Sequence, residues 1–147
     1  MNKATNLEVI KTVLQKSAQN GIWNHCMGFF GFPGETRSEA EDSIRFLEEN
    51  KEHVHSVGFM TFMLGKYSPV ALEPERYGVS VYKNPEWDLA LDYYFTVQEG
   101  MGIQEAAELL EEFERKHEPK WDLRTYVPEY IFLYVEHYQT NNLPHLN

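Results

Sequence analysis

A chain of 147 residues that is 42% hydrophobic and 14% aromatic is long enough to bury one core and too rich in aromatic side chains to stay unfolded. Its 23 acidic against 13 basic residues give a formal net charge of -10, and no basic stretch stands out to displace counterions from a phosphate backbone, so nucleic acid is not an expected partner. No apolar run approaches the roughly 20 residues that cross a bilayer, and the polar start Met1-Asn2-Lys3-Ala4-Thr5-Asn6 is no signal peptide, so a cytoplasmic unit without a membrane partner is predicted.

In chain order, Thr5-Asn6-Leu7-Glu8 reads as a capping box, and Leu7, Ile10, Leu14 and Ala18, with Val13 beside them, form the stripe of a helix that closes at Asn20-Gly21. Residues 22–30 make an apolar, aromatic-rich run without helical spacing, the pattern of a strand buried on both faces. After Phe32-Pro33-Gly34, a second box at Ser38-Glu39-Ala40-Glu41 opens a helix whose stripe is Ala40, Ile44 and Leu47 and which ends near Asn50. Residues 55–64 repeat the apolar strand pattern. The strand, helix and strand are therefore predicted to form a right-handed parallel crossover unit.

The remainder is less regular. Residues 65–74 hold Ser68-Pro69 and Glu73-Pro74 and predict a loop, residues 77–82 a short strand with Val79 and Val81 on one face, and residues 87–97 an aromatic helix packed on the unit. Residues 102–116 give the clearest helix, with Ile103, Ala106, Leu110 and Phe113 on one face and Glu105, Glu108, Glu111, Glu112 and Glu114 toward solvent. A last helix is predicted from Pro128 to His137, with Ile131, Phe132 and Val135 apolar, before a frayed tail over 141–147.

Two parallel strands with two helices leave unpaired strand edges, and the order opens on a helix, as if an alternating array had been cut in its middle. In such arrays ligands sit at the carboxyl ends of the strands, where Gly31-Phe32-Pro33-Gly34-Glu35-Thr36, the end of the glycine- and aromatic-rich stretch over 28–36, falls.

On these residues the chain resembles a family. Met1-Asn2-Lys3, Asn20-Gly21-Ile22, the turn Gly31-Phe32-Pro33-Gly34-Glu35-Thr36 and the later Ser68, Pro74 and Tyr77-Gly78 resemble the C-terminal part of the catalytic domain of radical S-adenosylmethionine enzymes. The branch most similar often carries a cobalamin-binding domain. The resemblance implies an α/β fold in which residues 1–80 are a segment of a partial (β/α) barrel, one parallel βαβ unit, and residues 81–147 are a mostly helical C-terminal extension packed on it. Residues 22–30 would be similar to the fifth barrel strand and residues 55–62 to the sixth. It further implies S-adenosylmethionine and a 4Fe–4S cluster in the whole protein, with cobalamin as a further candidate, none of them bound by this chain alone. The family's CxxxCxxC cluster loop has no counterpart in these residues, since the chain has one cysteine, so the missing N-terminal part of the barrel would be a partner.

By the same resemblance Phe29 stands at an apolar position, Gly31 at a glycine and Glu35 at an acidic position of a fifth-strand motif that helps form the adenine side of the pocket. Pro33 and Gly34 shape its turn, and Phe62 and Leu64 at the end of the sixth strand would flank the same pocket. Met27 stands where that family often has glycine.

The residues themselves support part of this reading. A phosphate-cradling loop needs Lys and Ser or Thr after its glycines, whereas Glu35 follows Gly34 and would repel a phosphate, so a ligand here is neutral or cationic. The alternative is purely structural: Pro33-Gly34 as a tight turn and Glu35 as a helix-dipole partner. His25 and Cys26 are adjacent in a strand and point to opposite faces, which is wrong for a shared metal, and Cys26 in apolar surroundings is no activated nucleophile. His53 and His55 lack a third ligand, and the acidic run over 105–114 reads as a solvent face. No catalytic residue is assigned. Two functions remain: the C-terminal segment of a radical S-adenosylmethionine enzyme with an unknown substrate, or a non-catalytic interaction module that forms a homo-oligomer, a dimer, through its open sheet edge.

Overall fold

The computed structural model describes residues 6–83 and 89–117. Its elements are α1 (Leu7–Gln19), β1 (His25–Phe30), α2 (Arg37–Glu49), β2 (Ser56–Thr61), β3 (Leu64–Gly65), α3 (Pro69–Leu72), β4 (Val79–Tyr82), β5 (Asp92–Val97) and α4 (Ile103–His117). The fold is mixed α/β. β1 and β2 pair in parallel, in register from His25 opposite Ser56 to Phe30 opposite Thr61. β3, β5 and β4 form a small antiparallel sheet in that order.

Period-two alternation sends Cys26 and Phe30 of β1, with Val57 and Phe59 of β2, into one core. There they meet Ala40, Ile44 and Leu47 of α2 and Ala106, Leu109 and Phe113 of α4. Phe30 is completely buried, which stabilises the fold by about 2 kcal/mol. Its ring lies 4.8 Å from that of Phe59, and Phe59 lies 5.1 Å from Phe113. The opposite face of the parallel pair carries His25, Met27, Phe29, Ser56, Gly58 and Met60. Met27 is 69% and Met60 38% exposed, so this face is open at its centre.

A second core of Leu64, Val70, Ala71, Val79 and Phe95 lies against the antiparallel sheet, with Phe32 and Phe62 packed onto it. β4 spans the expected division between residues 80 and 81, and α4 from beyond that division packs on the core side of β1 and β2.

Several local expectations are corrected. α1 is capped by Asn6, whose Oδ1 accepts the Glu8 N–H at 2.8 Å; Thr5 lies outside the described residues. Of its expected stripe Leu14 is buried, whereas Leu7 is 62% exposed. The box that opens α2 is Thr36 with Glu39, not Ser38 with Glu41: the Thr36 hydroxyl accepts the Glu39 N–H and the Glu39 carboxylate accepts the Thr36 N–H at 2.8 Å. The expected end at Asn50 is where α2 stops.

Residues 69–72, expected as loop, form the short helix α3, because the Ser68 hydroxyl accepts the Ala71 N–H and Pro69 suits the first turn. Of the expected aromatic helix over 87–97, residues 87 and 88 lie outside the described residues, and residues 92–97 are instead the strand β5, whose outward Asp92, Tyr94 and Thr96 alternate with inward Tyr93, Phe95 and Val97. On α4 the buried residues are Ala106, Leu109, Phe113 and His117; the expected Leu110 packs, half-buried, against the same core, whereas the expected Ile103 lies exposed. The helix expected over 128–137 lies outside the described residues. Among those residues no helix is long and apolar enough to cross a membrane.

Candidate functional site

The turn after β1 is built by its glycines. Phe32, Pro33, Gly34 and Glu35 form a β-turn closed by the Glu35 N–H donating to the Phe32 carbonyl at 2.8 Å. Gly34 has φ +87°, which with Pro33 before it gives the type II arrangement. Gly31 has φ +84° and sits so close to α4 that a Cβ there would lie 2.8 Å from the Ala106 Cβ. A side chain at Gly31 is thus excluded by backbone conformation and by space together.

The Glu35 side chain folds back across this turn, and its Oε2 accepts the Gly31 N–H at 2.7 Å. On the other side the Glu35 carbonyl accepts the Met101 N–H, also at 2.7 Å. A Cβ on Gly100 would lie 2.6 Å from that carbonyl oxygen, so the lead-in to α4 is pressed directly onto the turn. Gly100, Met101 and Ala106 are parts of this site that the sequence reading missed. Their signal was the Gly100-Met101-Gly102 break before the α4 stripe, which marks close backbone approach without saying to what.

Electrostatics at the turn are acidic. Burial pushes the Glu35 carboxyl above the usual carboxylate range, against the opposing pull of the Gly31 and Phe32 backbone groups, and the charge of Glu39 adds to the upward push. Glu39 itself is held low, first by the Thr36 N–H and then by its hydroxyl. Glu35 and Glu39 line a shallow, open depression together with Phe32, Pro33, Gly34 and Ser43. The nearest arginine in sequence, Arg37, is engaged by Glu41 at 3.0 Å and by Glu112 of α4 at 2.6 Å. The helix-dipole partner in the first turn of α2 is Glu39, whereas Glu35 precedes the cap and closes the glycine turn.

Beside the turn an aromatic cluster forms at the carboxyl ends of β1 and β2. Phe62 lies 5.5 Å from Phe29, 5.2 Å from Phe32 and 5.6 Å from Phe95, and its N–H extends the parallel pairing by donating to the Phe30 carbonyl at 2.8 Å. Phe29 and Phe62 are half-buried and keep some surface, as a stacking platform for a flat ligand needs. Of the other candidates, Gly31 and Pro33 are buried and Gly34 is exposed. Leu64 is fully buried in the second core, where it presents no surface to a ligand.

The remaining polar candidates are tied into local structure. His25 Nδ1 lies 2.7 Å from the Ser56 hydroxyl, which also accepts the Trp23 indole N–H at 2.9 Å. His55 Nδ1 accepts the Asn24 N–H at 2.9 Å, and its ring stacks on Trp23. Burial, and then the neighbouring His53, lower the pKa of His55. Burial pushes the Cys26 thiol up, away from reactivity at neutral pH. Among the described residues no group of three or more His, Cys, Asp or Glu side chains could hold a metal ion. Compared with protein families, with curated proteins and with solved structures, the chain matches none.

Proposed function

We propose that this chain is the C-terminal part of a radical S-adenosylmethionine catalytic barrel, contributing the adenine side of the cofactor pocket and the substrate side of the barrel, and not catalytic alone. The observation that carries this reading is the placement of the glycine turn. It lies at the carboxyl end of a parallel strand, beside the half-buried aromatic rings of Phe29 and Phe62. In this role Phe29 and Phe62 stack against the base, and Gly31 and Gly34 bring backbone close to the ligand. The carboxylates of Glu35 and Glu39 favour a sulfonium over a phosphate. Neither Pro33 nor Leu64 touches the ligand in this proposal; Pro33 shapes the turn, and Leu64 anchors β3 in the second core beside it.

In the whole protein a 4Fe–4S cluster on upstream cysteines would supply the electron that cleaves S-adenosylmethionine to a 5′-deoxyadenosyl radical. Cobalamin, carried on a further domain, is part of the proposal for the whole protein, which would act in the cytoplasm. The test is the product of the complete reading frame, purified without oxygen. The expected result is iron and sulfide in the protein and 5′-deoxyadenosine formed on reduction with S-adenosylmethionine. A complete product with no CxxxCxxC and no bound iron would overturn the proposal.

One observation favours a second reading, that of a self-associating interaction module. Among the described residues the parallel sheet has two strands, and apolar side chains on it are exposed, Met27 at 69% and Met60 at 38%. On this reading light scattering finds a dimer, and a monomer at high concentration counts against it.

A further inference from the structure

His117 ends α4 as a buried histidine, 1% exposed, in a net-acidic chain. Its two ring nitrogens meet two acceptors. Nδ1 lies 2.8 Å from the Phe113 carbonyl one turn back, and Nε2 lies 2.9 Å from Glu48 Oε1 at the end of α2. A carbonyl and a carboxylate can only accept, so both contacts are hydrogen bonds at once only when both ring nitrogens carry a proton. The imidazolium also suits its position, because the last carbonyls of a helix form the negative end of its dipole.

Among the described residues, the charged groups at the ring are Glu48 from α2 and Lys116 from α4, whose Nζ donates to the same Glu48 Oε1 at 2.9 Å. On the strands beneath, the titratable groups are Cys26, toward this core, and His25, tied to Ser56 on the other face. Glu48 is thus bracketed by two donors from α4. Lys116 is mostly exposed, and the His117 bond is the buried one.

We infer that His117 and Glu48 form a proton-dependent latch that holds α4 on the glycine turn. The opposite end of α4 is seated there by the Met101 N–H on the Glu35 carbonyl and by Ala106 against Gly31. One rigid helix therefore joins the latch to the candidate site. When the ring gives up its proton, one of the two contacts becomes two acceptors face to face, α4 loosens on α2, and the turn loses its cover. The latch does not depend on which ligand the turn takes.

The experiment follows the His117 ring nitrogens by NMR in the folded chain while amide exchange is measured at Gly31 and Met101. The expected result is a doubly protonated ring, and exchange at both amides that rises by about tenfold as that ring loses its proton, the change that one weakened hydrogen bond produces. In Glu48→Gln the same two amides are expected to exchange faster before any titration. A His117 ring that keeps a single proton throughout the folded range overturns the latch. Exchange at Gly31 and Met101 that is indifferent to the ring's titration overturns its link to the turn. Because the wild-type chain carries both readouts, the result stands even if His117→Gln fails to fold.

Discussion

The Glu35 carboxylate accepts the Gly31 backbone N–H at 2.7 Å, so the turn after β1 is closed by a side chain as well as by its own backbone. The carboxyl is half-buried and burial raises its pKa, so the group closes the turn at an electrostatic cost. A raised folded pKa means that the stability is present at low pH and is lost as pH rises through that value. Glu35→Gln keeps an acceptor for Gly31 and removes the charge. Its melting temperature at neutral pH is expected to equal or exceed that of the parent, with a flatter profile above about pH 4.5. Glu35→Ala is expected to lose about 1–2 kcal/mol by leaving the Gly31 N–H unpaired. Denaturant titrations of both variants at pH 4 and pH 7 check this.

The glycines of the site are expected to rank by space. Gly34 has positive φ and open surroundings, so Gly34→Ala should cost about 1–2 kcal/mol, the penalty of left-handed backbone alone. Gly31→Ala adds a clash with Ala106, and Gly100→Ala a clash with the Glu35 carbonyl, at 2.8 and 2.6 Å; each is expected to cost about 3 kcal/mol or more. Equal losses at all three positions would show that α4 is not seated on the turn.

Thr36→Ala is expected to lose about 1 kcal/mol of stability, as the loss of an N-cap does, and Ser38→Ala almost nothing. This pair separates the observed box from the one expected two residues later. Both hydroxyls precede an acidic residue at the right spacing, so the sequence alone could not choose between them.

Below neutral pH the stability should carry the mark of Glu48. Its hydrogen bond from His117, then that from Lys116, holds its pKa at about 2. A lowered folded pKa contributes stability that is complete above the unfolded value and lost as pH falls toward about 2. Glu48→Gln is expected to remove about 1 kcal/mol at pH 6, since the carboxylate is one-third exposed and partly screened. The gap between the two proteins should close on acidification. A gap that persists at pH 2 would contradict the assignment.

What the sequence disclosed follows the range of the interactions. The stripe of α2, that of α4 apart from the exposed Ile103, the stop at Asn50 and the turn at Pro33-Gly34 are local patterns, and they are where the residues placed them. β5 was misread because Tyr93, Tyr94 and Phe95 are consecutive aromatics. The deciding signal was the polarity of Asp92 and Thr96 on alternate positions. The seating of Gly100 on Glu35 and the bond from His117 to Glu48 join residues 65 or more apart. Nothing in either local stretch names its partner.

The central claim is that β1 and β2 are neighbouring strands of a larger parallel array, with the glycine turn at its ligand-bearing end. The most direct measurement is a crystal structure of the complete polypeptide bearing this segment. A further parallel strand hydrogen-bonded along the outer edge of β1, with its following loop facing Phe29 and the Gly31 turn, is the expected result. An outer edge of β1 that is left to solvent, or that pairs antiparallel with a second copy of the chain, would contradict the claim.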